Sequence, residues 1–329
     1  TYSDPFFQET NARKFYVTAY FNSNIPSAWS YRLDQVIFVG YWRYAWAAEY
    51  AYGTVDPVNK TFTSRTSIHY GDTKDFTKGR EFRVFNVFEE MDEPGEWYVD
   101  EDEEMMYFYP YEDTTAQSYL VKNEGDFDLI VVDGASYVTF RGLDVSGGRQ
   151  SGIVIKSGSN NLVSDCDLHL MQFAGIIVDG TRNGVDSSRM YHVGERGAQI
   201  GELEGDDLKT LIPSRNYVSN CVMHDYSMAK EVHSGGVYLY GVGNRVSNNE
   251  FHDAPYFGIF FTGVNHVMEY NSFDNVCFNA ADMGVIYTGR NLYDFGNIIR
   301  YNHFYNIGQS STTGFSPCCS PSAAPSATG

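Results

Sequence analysis

Asp282, in Ala281-Asp282-Met283-Gly284, and Asp253, in His252-Asp253-Ala254-Pro255, each precede a Gly-led apolar stretch, and Glu231 lies in a polar segment upstream of both. Two carboxylic acids suffice to cleave a glycosidic bond. One, with a raised pKa, protonates the leaving oxygen, and the other attacks the sugar carbon or activates water. A separation of roughly 5–5.5 Å suits the retaining route and a wider one the inverting route. The competing reading of either aspartate is a turn residue binding backbone amides. Asp225 is a further candidate for the second acid, whereas Glu269 is set to pair with Arg300. Tyr238, Tyr240 and Phe260 offer rings for sugar stacking, and Arg290 is placed either to bind hydroxyls or to tie down residues 291–296. His224, His252, His266 and His303 follow no metal-ligand pattern and read as turn hydrogen-bonders, so neither metal nor cofactor is expected.

A repeat positions these residues. Gly152-Ile-Val-Ile-Lys156, Gly175-Ile-Ile-Val-Asp179, Gly197-Ala-Gln-Ile-Gly201, Gly236-Val-Tyr-Leu-Tyr240, Gly258-Ile-Phe-Phe-Thr262 and Gly284-Val-Ile-Tyr-Thr288 share one form, with glycines 23, 22, 39, 22 and 26 residues apart. Asn161-Leu-Val-Ser-Asp165, Asn216-Tyr-Val-Ser-Asn220 and Asn244-Arg-Val-Ser-Asn248 keep the same beat. A period in the low twenties built of short β-branched strands and Gly or Asn turns means one solenoid coil per repeat. Regularly spaced leucines are missing, which excludes leucine-rich repeats. The fold expected is all-β, a right-handed parallel β-helix, with the recurring Asn at left-handed turns bonding to the next coil. The 39-residue step marks insertions at 201–215 and 225–234.

Strand alternation sends the first and third residues after each glycine inward and the second and fourth outward. Tyr238, Tyr240 and Phe260 thus form an outward aromatic patch, either an open groove or a secondary core covered by a loop, with Asp282 and Asp253 beside it. Coils stack roughly 4.8 Å apart, so carboxyls on neighbouring coils fall within catalytic reach. Cys166 and Cys221 take equivalent places about two coils, or ~9.6 Å, apart and do not bridge.

Residues 1–130 lack the beat and read as a β-rich capping region, 131–309 as the helix, and 310–329 as a Ser/Pro/Ala-rich tail. The acidic run Asp100–Glu104 reads as a solvated hairpin turn. A net charge of −19 disfavours nucleic acid and anionic glycans and leaves neutral partners, a polysaccharide or glycan first. No apolar run is long enough to span a bilayer, and no signal segment opens the chain, which reads as a mature or excised piece. The sequon Asn59-Lys60-Thr61, with Asn59 as the glycosylated residue, and the Ser/Pro-rich tail point to a secreted, extracellular glycoprotein.

Phe85–Asp100, Val39-Gly-Tyr-Trp42 and Asp282-Met-Gly-Val-Ile-Tyr-Thr-Gly-Arg290 resemble right-handed β-helix proteins related to glycoside hydrolase family 141, over most of residues 30–308. That resemblance implies action on fucose- or xylose-containing plant glycans through an acidic pair that includes Asp282. Such relatives often continue for further coils where this chain stops soon after Asn302. The first reading is therefore a glycoside hydrolase of a cell-wall or matrix polysaccharide. The alternative is a non-catalytic glycosylated subunit that packs with its own copies or other matrix glycoproteins into a filament, wall or matrix. A polysaccharide lyase ranks third, because it needs basic residues and often calcium, and the outward face is poor in base.

Overall fold

The computed structural model describes residues 18–20, 29–70 except 43 and 45, 82–111, and 125–308 except 204, 280, 290 and 293. The chain divides into two compact units, Thr1–Val121 and Lys122–Gly329.

The second unit is a right-handed parallel β-helix of three seven-stranded sheets. Sheet A contains Ile130–Val132, Ile153–Ile155, Ala174–Val178, Arg196–Ile200, Gly235–Leu239, Phe257–Phe261 and Ile286–Tyr287. Sheet B contains Thr139–Arg141, Leu162–Ser164, Gly184–Asp186, Tyr217–Ser219, Arg245–Ser247, Val267–Glu269 and Ile298–Arg300. Sheet C contains Asp144–Ser146, Asp167–His169, Arg189–Tyr191, Val222–His224, Glu250–Ala254, Ser272–Val276 and His303–Tyr305. Every neighbouring pair is parallel and in register, so equivalent residues of successive coils stack in rows.

Those rows make the core. Val163, Val185, Val218, Val246 and Met268 fill it from sheet B, and Leu168, Met190, Met223, Phe251 and Phe273 from sheet C, all fully buried. The sheet C row widens from aliphatic to aromatic, and its last three rings lie parallel, with Phe251–Phe273 centroids 4.8 Å apart and Phe273–Phe304 5.1 Å. The glycine leading each sheet A strand has a packing reason. A Cβ on Gly175 would lie 2.7 Å from the Gly197 carbonyl oxygen and 2.9 Å from Met190 Cγ.

Side-chain ladders close the corners. Asn161 N–H donates to Asn183 Oδ1, Asn183 N–H to Asn216 Oδ1, and Asn216 N–H to Asn244 Oδ1. A second column runs from Cys221 through Asn249 and Asn271 to Asn302. The sequence assigns one asparagine both to the ladder and to the left-handed turn, but the structure separates the two jobs. The ladder residues are Asn161, Asn183, Asn216 and Asn244, while positive φ falls on Asn160, Arg182, Asp165, Asn220 and Asn248. Cys166 and Cys221 are free, buried and two coils apart in one row, and burial pushes the Cys221 thiol up to about 12.

In the first unit, Thr18–Tyr20, Val36–Gly40, Glu49–Asp56, Thr61–Ser64 and Phe82–Phe85 form a five-stranded antiparallel sheet, and Trp97–Asp100 pairs with Met105–Phe108 as a hairpin. Phe38, Phe62 and Trp42 anchor its core, Phe38 and Phe62 stacked at 3.9 Å. The acidic run supplies the hairpin turn, but Asp100 is not solvated. It is fully buried, accepting from Tyr31 Oη at 2.7 Å and from the backbone N–H of Asp102 and Glu103. The Tyr31 hydroxyl, helped by those amides, holds its carboxyl down at about 2.

Candidate active site

At the corner where sheet A turns toward sheet B, Asp179 follows the strand Ala174–Val178, and the register aligns it with Gly201 on the next coil. Glu202, one residue on, begins the long insertion, and Asp207 returns from it. Burial lifts the Asp179 carboxyl to about 6, and the nearby charges of Glu202 and Asp207 push the same way. Asp207 is fixed by its own bonds. Its Oδ2 accepts from Val242 N–H at 2.8 Å and Ser214 Oγ at 3.1 Å, and its Oδ1 from Leu208 N–H at 2.8 Å. These tie the insertion to the corner formed by Gly241, whose φ of 84° puts it in the left-handed region. Asp179 is partly buried and Glu202 exposed. A carboxyl that keeps its proton up to about pH 6 thus neighbours another, from an adjacent coil, that is open to solvent.

The carboxylates picked from sequence are arranged otherwise. Asp253 lies in the sheet C strand Glu250–Ala254, accepting from Asn275 Nδ2 at 2.7 Å and paired with His252 Nδ1 at 2.8 Å, contacts that hold its carboxyl below the usual range. A carboxyl held ionised is a poor proton donor. Asp282 is exposed in a left-handed turn at φ 57°, and among the described residues its carboxyl touches neither Asp253 nor a backbone amide. Glu231 is partly buried and accepts from Asn279 Nδ2 at 2.6 Å. Arg290 lies outside the described residues. Glu269 pairs with Arg300 at 2.6 Å as its spacing predicts, and also with Arg245.

Of the two readings of the aromatic patch, open groove or covered core, burial decides for the second. Tyr238, Tyr240 and Phe260 are each only 3% exposed, so they form a second core on the outer face and not an open groove. Tyr238 and Phe260 lie 5.4 Å apart, Tyr238 and Tyr240 5.8 Å, and the Arg196 guanidinium sits 4.2 Å over Tyr238 and 4.6 Å over Phe173. Tyr238 Oη donates to the His233 carbonyl at 2.6 Å. Apolar area left in water costs roughly 25 cal/mol per Å², which favours burial of these rings.

His224 and His252 are hydrogen-bonded at turns, their Nδ1 atoms 2.7 Å from Asp225 Oδ2 and 2.8 Å from Asp253 Oδ2, and their rings also stack. His169, Tyr191, His224 and His252 occupy one outward row of sheet C and stack nearly parallel, with centroids 4.7, 5.2 and 4.7 Å apart. Their faces are spent on each other, leaving only ring edges to solvent. His303 lies on the same sheet, 4.7 Å from Tyr305. His266 is fully buried and hydrogen-bonded inside the coil. Among the described residues no group of three or more His, Cys, Asp or Glu side chains is arranged to hold a metal ion, and no helix is long and apolar enough to cross a membrane.

Residues 123–229 match the family described as right handed beta helix region. That span holds Asp179, Glu202 and Asp207. No curated protein matches the chain in sequence. Among solved structures, a glycoside hydrolase is similar over 85% of this chain and 69% of its own, at 12% identity and a TM-score of 0.40, and no residue role is transferred from it.

The sequence did hold a signal for Asp179. It is the fourth residue after Gly175, the same outward position as Tyr240 and Thr262, and it lies one coil before the acidic insertion. Attention to the last three coils passes over it, because only the fold shows that the insertion returns to that corner.

Proposed function

We propose that this β-helix is a carbohydrate-active protein, a glycoside hydrolase acting on a neutral polysaccharide outside the cell, with Asp179 as general acid and Glu202 as its partner. The observation that carries this reading is the Asp179 corner: a partly buried carboxyl facing two others from the next coil and its insertion. Burial lifts Asp179 to about 6, so it still carries a proton for a glycosidic oxygen in mildly acidic solution. Glu202, exposed and on the adjacent coil, attacks the anomeric carbon or directs water to it. Asp207, with both oxygens occupied, sustains the negative field that keeps the Asp179 proton in place.

The test is hydrolysis of a panel of neutral plant and algal polysaccharides by the wild type, Asp179→Asn, Glu202→Gln and Asp282→Asn. Loss of 10³-fold or more in kcat for the first two, with Asp282→Asn near wild type, is expected. Full activity in Asp179→Asn removes the assignment.

A second reading, a non-catalytic subunit stacked end to end in a filament or matrix, draws on the last coil. Ile299 and Phe304 continue fully buried core rows yet are 49% and 45% exposed. Sedimentation that stays monomeric at high concentration, with Ile299→Asp unchanged, rules against it.

A further inference from the structure

We infer that the first unit carries a separate binding site for a neutral oligosaccharide, in the cleft between the Phe82–Phe85 strand and the Trp97–Asp100 hairpin strand, with Trp97 and Phe85 as its stacking faces.

The hairpin strand alternates cleanly. Tyr98 and Asp100 are buried in the unit's core, which turns Trp97 and Val99 into the cleft. Trp97 is 60% exposed, the others of the chain's four tryptophans being buried (Trp29, Trp42) or partly buried (Trp46). A large ring left in water at the mouth of a concave site is how proteins present a stacking surface. Phe85, also exposed, faces it across a cleft of about 820 Å³ floored by Ile37, Val87 and Val99, within the range of small-ligand sites.

The walls are held rigidly. Asn86, with a left-handed φ of 59°, accepts from Val99 N–H and donates to the Val99 carbonyl, both at 2.9 Å, and also donates to the Gln35 carbonyl. One side chain thus fixes the strand end that carries Phe85 against the strand that carries Trp97, and the rings are set before any ligand arrives.

The polar groups suit hydroxyls. Glu96, beside Trp97, is anchored by the N–H groups of Asp92 and Glu93 at 2.7 and 2.8 Å, and Glu90 by Trp29 Nε1 at 2.6 Å. An ionised carboxylate accepts about four hydrogen bonds, so both keep capacity for sugar O–H donors. Glu101 adds a third carboxylate to the lining. Three acids repel a uronate or a sulfated chain.

Aromatic rings with carboxylates also suit an ammonium ion, but a cation needs them boxed around a point. Here Phe85 and Trp97 stand on different strands along an open cleft. Register places Tyr52, Ile37 and Phe85 opposite one another on three adjacent strands, and Trp97 lines the cleft together with Phe85. Separate stacking faces fit successive pyranose units.

The experiment uses the full chain titrated with xylohexaose, cellohexaose and mannohexaose, with hexagalacturonate and choline as controls. Binding is followed by calorimetry and by iodide quenching of tryptophan fluorescence, in which exposed Trp97 dominates. At least one neutral hexasaccharide is expected to bind with a sub-millimolar Kd and shield Trp97. Trp97→Ala should weaken that binding tenfold or more and Glu96→Gln several-fold, while Asp179→Asn leaves it unchanged. Should Trp97→Ala fail to fold, Phe85→Ala takes its place. The inference falls if no neutral hexasaccharide shields Trp97 at millimolar concentration, or if hexagalacturonate or choline binds better. It falls equally if Trp97 becomes shielded without sugar as protein concentration rises, which would mark the face as a contact between copies. Because binding and hydrolysis are read separately, failure here leaves the Asp179 assignment standing, and the reverse holds as well.

Discussion

The backbone N–H of Asn244 donates to Nδ1 of His266 at 3.2 Å, so an imidazole fills a place that asparagine amides fill in the coils before it. The mimicry extends to the other end of the ring. Asn183 and Asn244 each give their Nδ2 to the carbonyl four residues earlier, of Asp179 and Tyr240, and His266 Nε2 meets the carbonyl of Thr262 at 3.3 Å, again four residues earlier. Below it, His266 N–H continues the column to Asn297 Oδ1 at 2.8 Å.

This substitution makes one corner of the helix sensitive to acid. Nδ1 accepts only in the neutral ring, and burial lowers the His266 pKa to about 4, from about 6.5 when unfolded. The stability it gives is complete above about pH 6.5 and declines as pH falls toward 4, by about 3 kcal/mol in all. His266→Asn should match wild type within about 1 kcal/mol at pH 7 and exceed it at pH 4.5. Far-UV circular dichroism during urea unfolding checks this. All four tryptophans lie in the first unit, so their fluorescence reports on that unit alone. An unchanged pH slope in the asparagine variant would refute the idea.

How much was legible depended on whether periodicity or long-range return decided the outcome. The Gly-led strands and their inward rows could be read because each coil repeats the same local demand: a glycine under the next carbonyl, then alternating apolar residues. The asparagine ladder was legible as a beat, but not His266 within it, because an imidazole equals an amide only once its i−4 carbonyl is known. The outward faces of Tyr238 and Phe260 followed correctly from alternation, yet alternation cannot show that Arg196 lies over Tyr238. Asp253 could be read as a free acid or as a turn residue until the neighbouring coil brought up Asn275. The Asp179 corner needed the insertion's path, set by the bond from Val242 to Asp207 across 35 residues.

The buried outer aromatics lead to a stability prediction. Were Tyr238 in an open groove, truncation would cost within about 0.5 kcal/mol. As a packed ring bonded to the His233 carbonyl, Tyr238→Ala should cost about 3–5 kcal/mol. Thermal melts of the second unit by circular dichroism distinguish these outcomes, and a near-silent variant would restore the groove.

In the first unit, Asp100 sets the acid limit. Its carboxyl titrates at about 2 when folded and about 3.9 when unfolded, so its contribution is present above about pH 3.9 and is lost as pH falls through 2. Asp100→Asn should lower the unit's urea midpoint at pH 7 and flatten its dependence between pH 4 and 2, as followed by tryptophan fluorescence. Equal midpoints at pH 7 would show that the Tyr31 and backbone contacts to Asp100 contribute nothing net.

Asp179 has the opposite sign, and this links stability to the proposed chemistry. Its raised pKa means that folding disfavours its charge. The penalty is absent below the unfolded value of about 3.9 and complete above about pH 6. Allowing for solvent screening at a partly exposed site, it amounts to about 1–2 kcal/mol. Asp179→Asn should therefore make the β-helix more stable at pH 7.5 and leave it unchanged at pH 3.5, while abolishing hydrolysis. A residue present only to hold the coil corner would give the reverse, a less stable variant at neutral pH. Urea midpoints at the two pH values, measured by circular dichroism on wild type and variant, decide between a carboxyl kept for its proton and one kept for its hydrogen bonds.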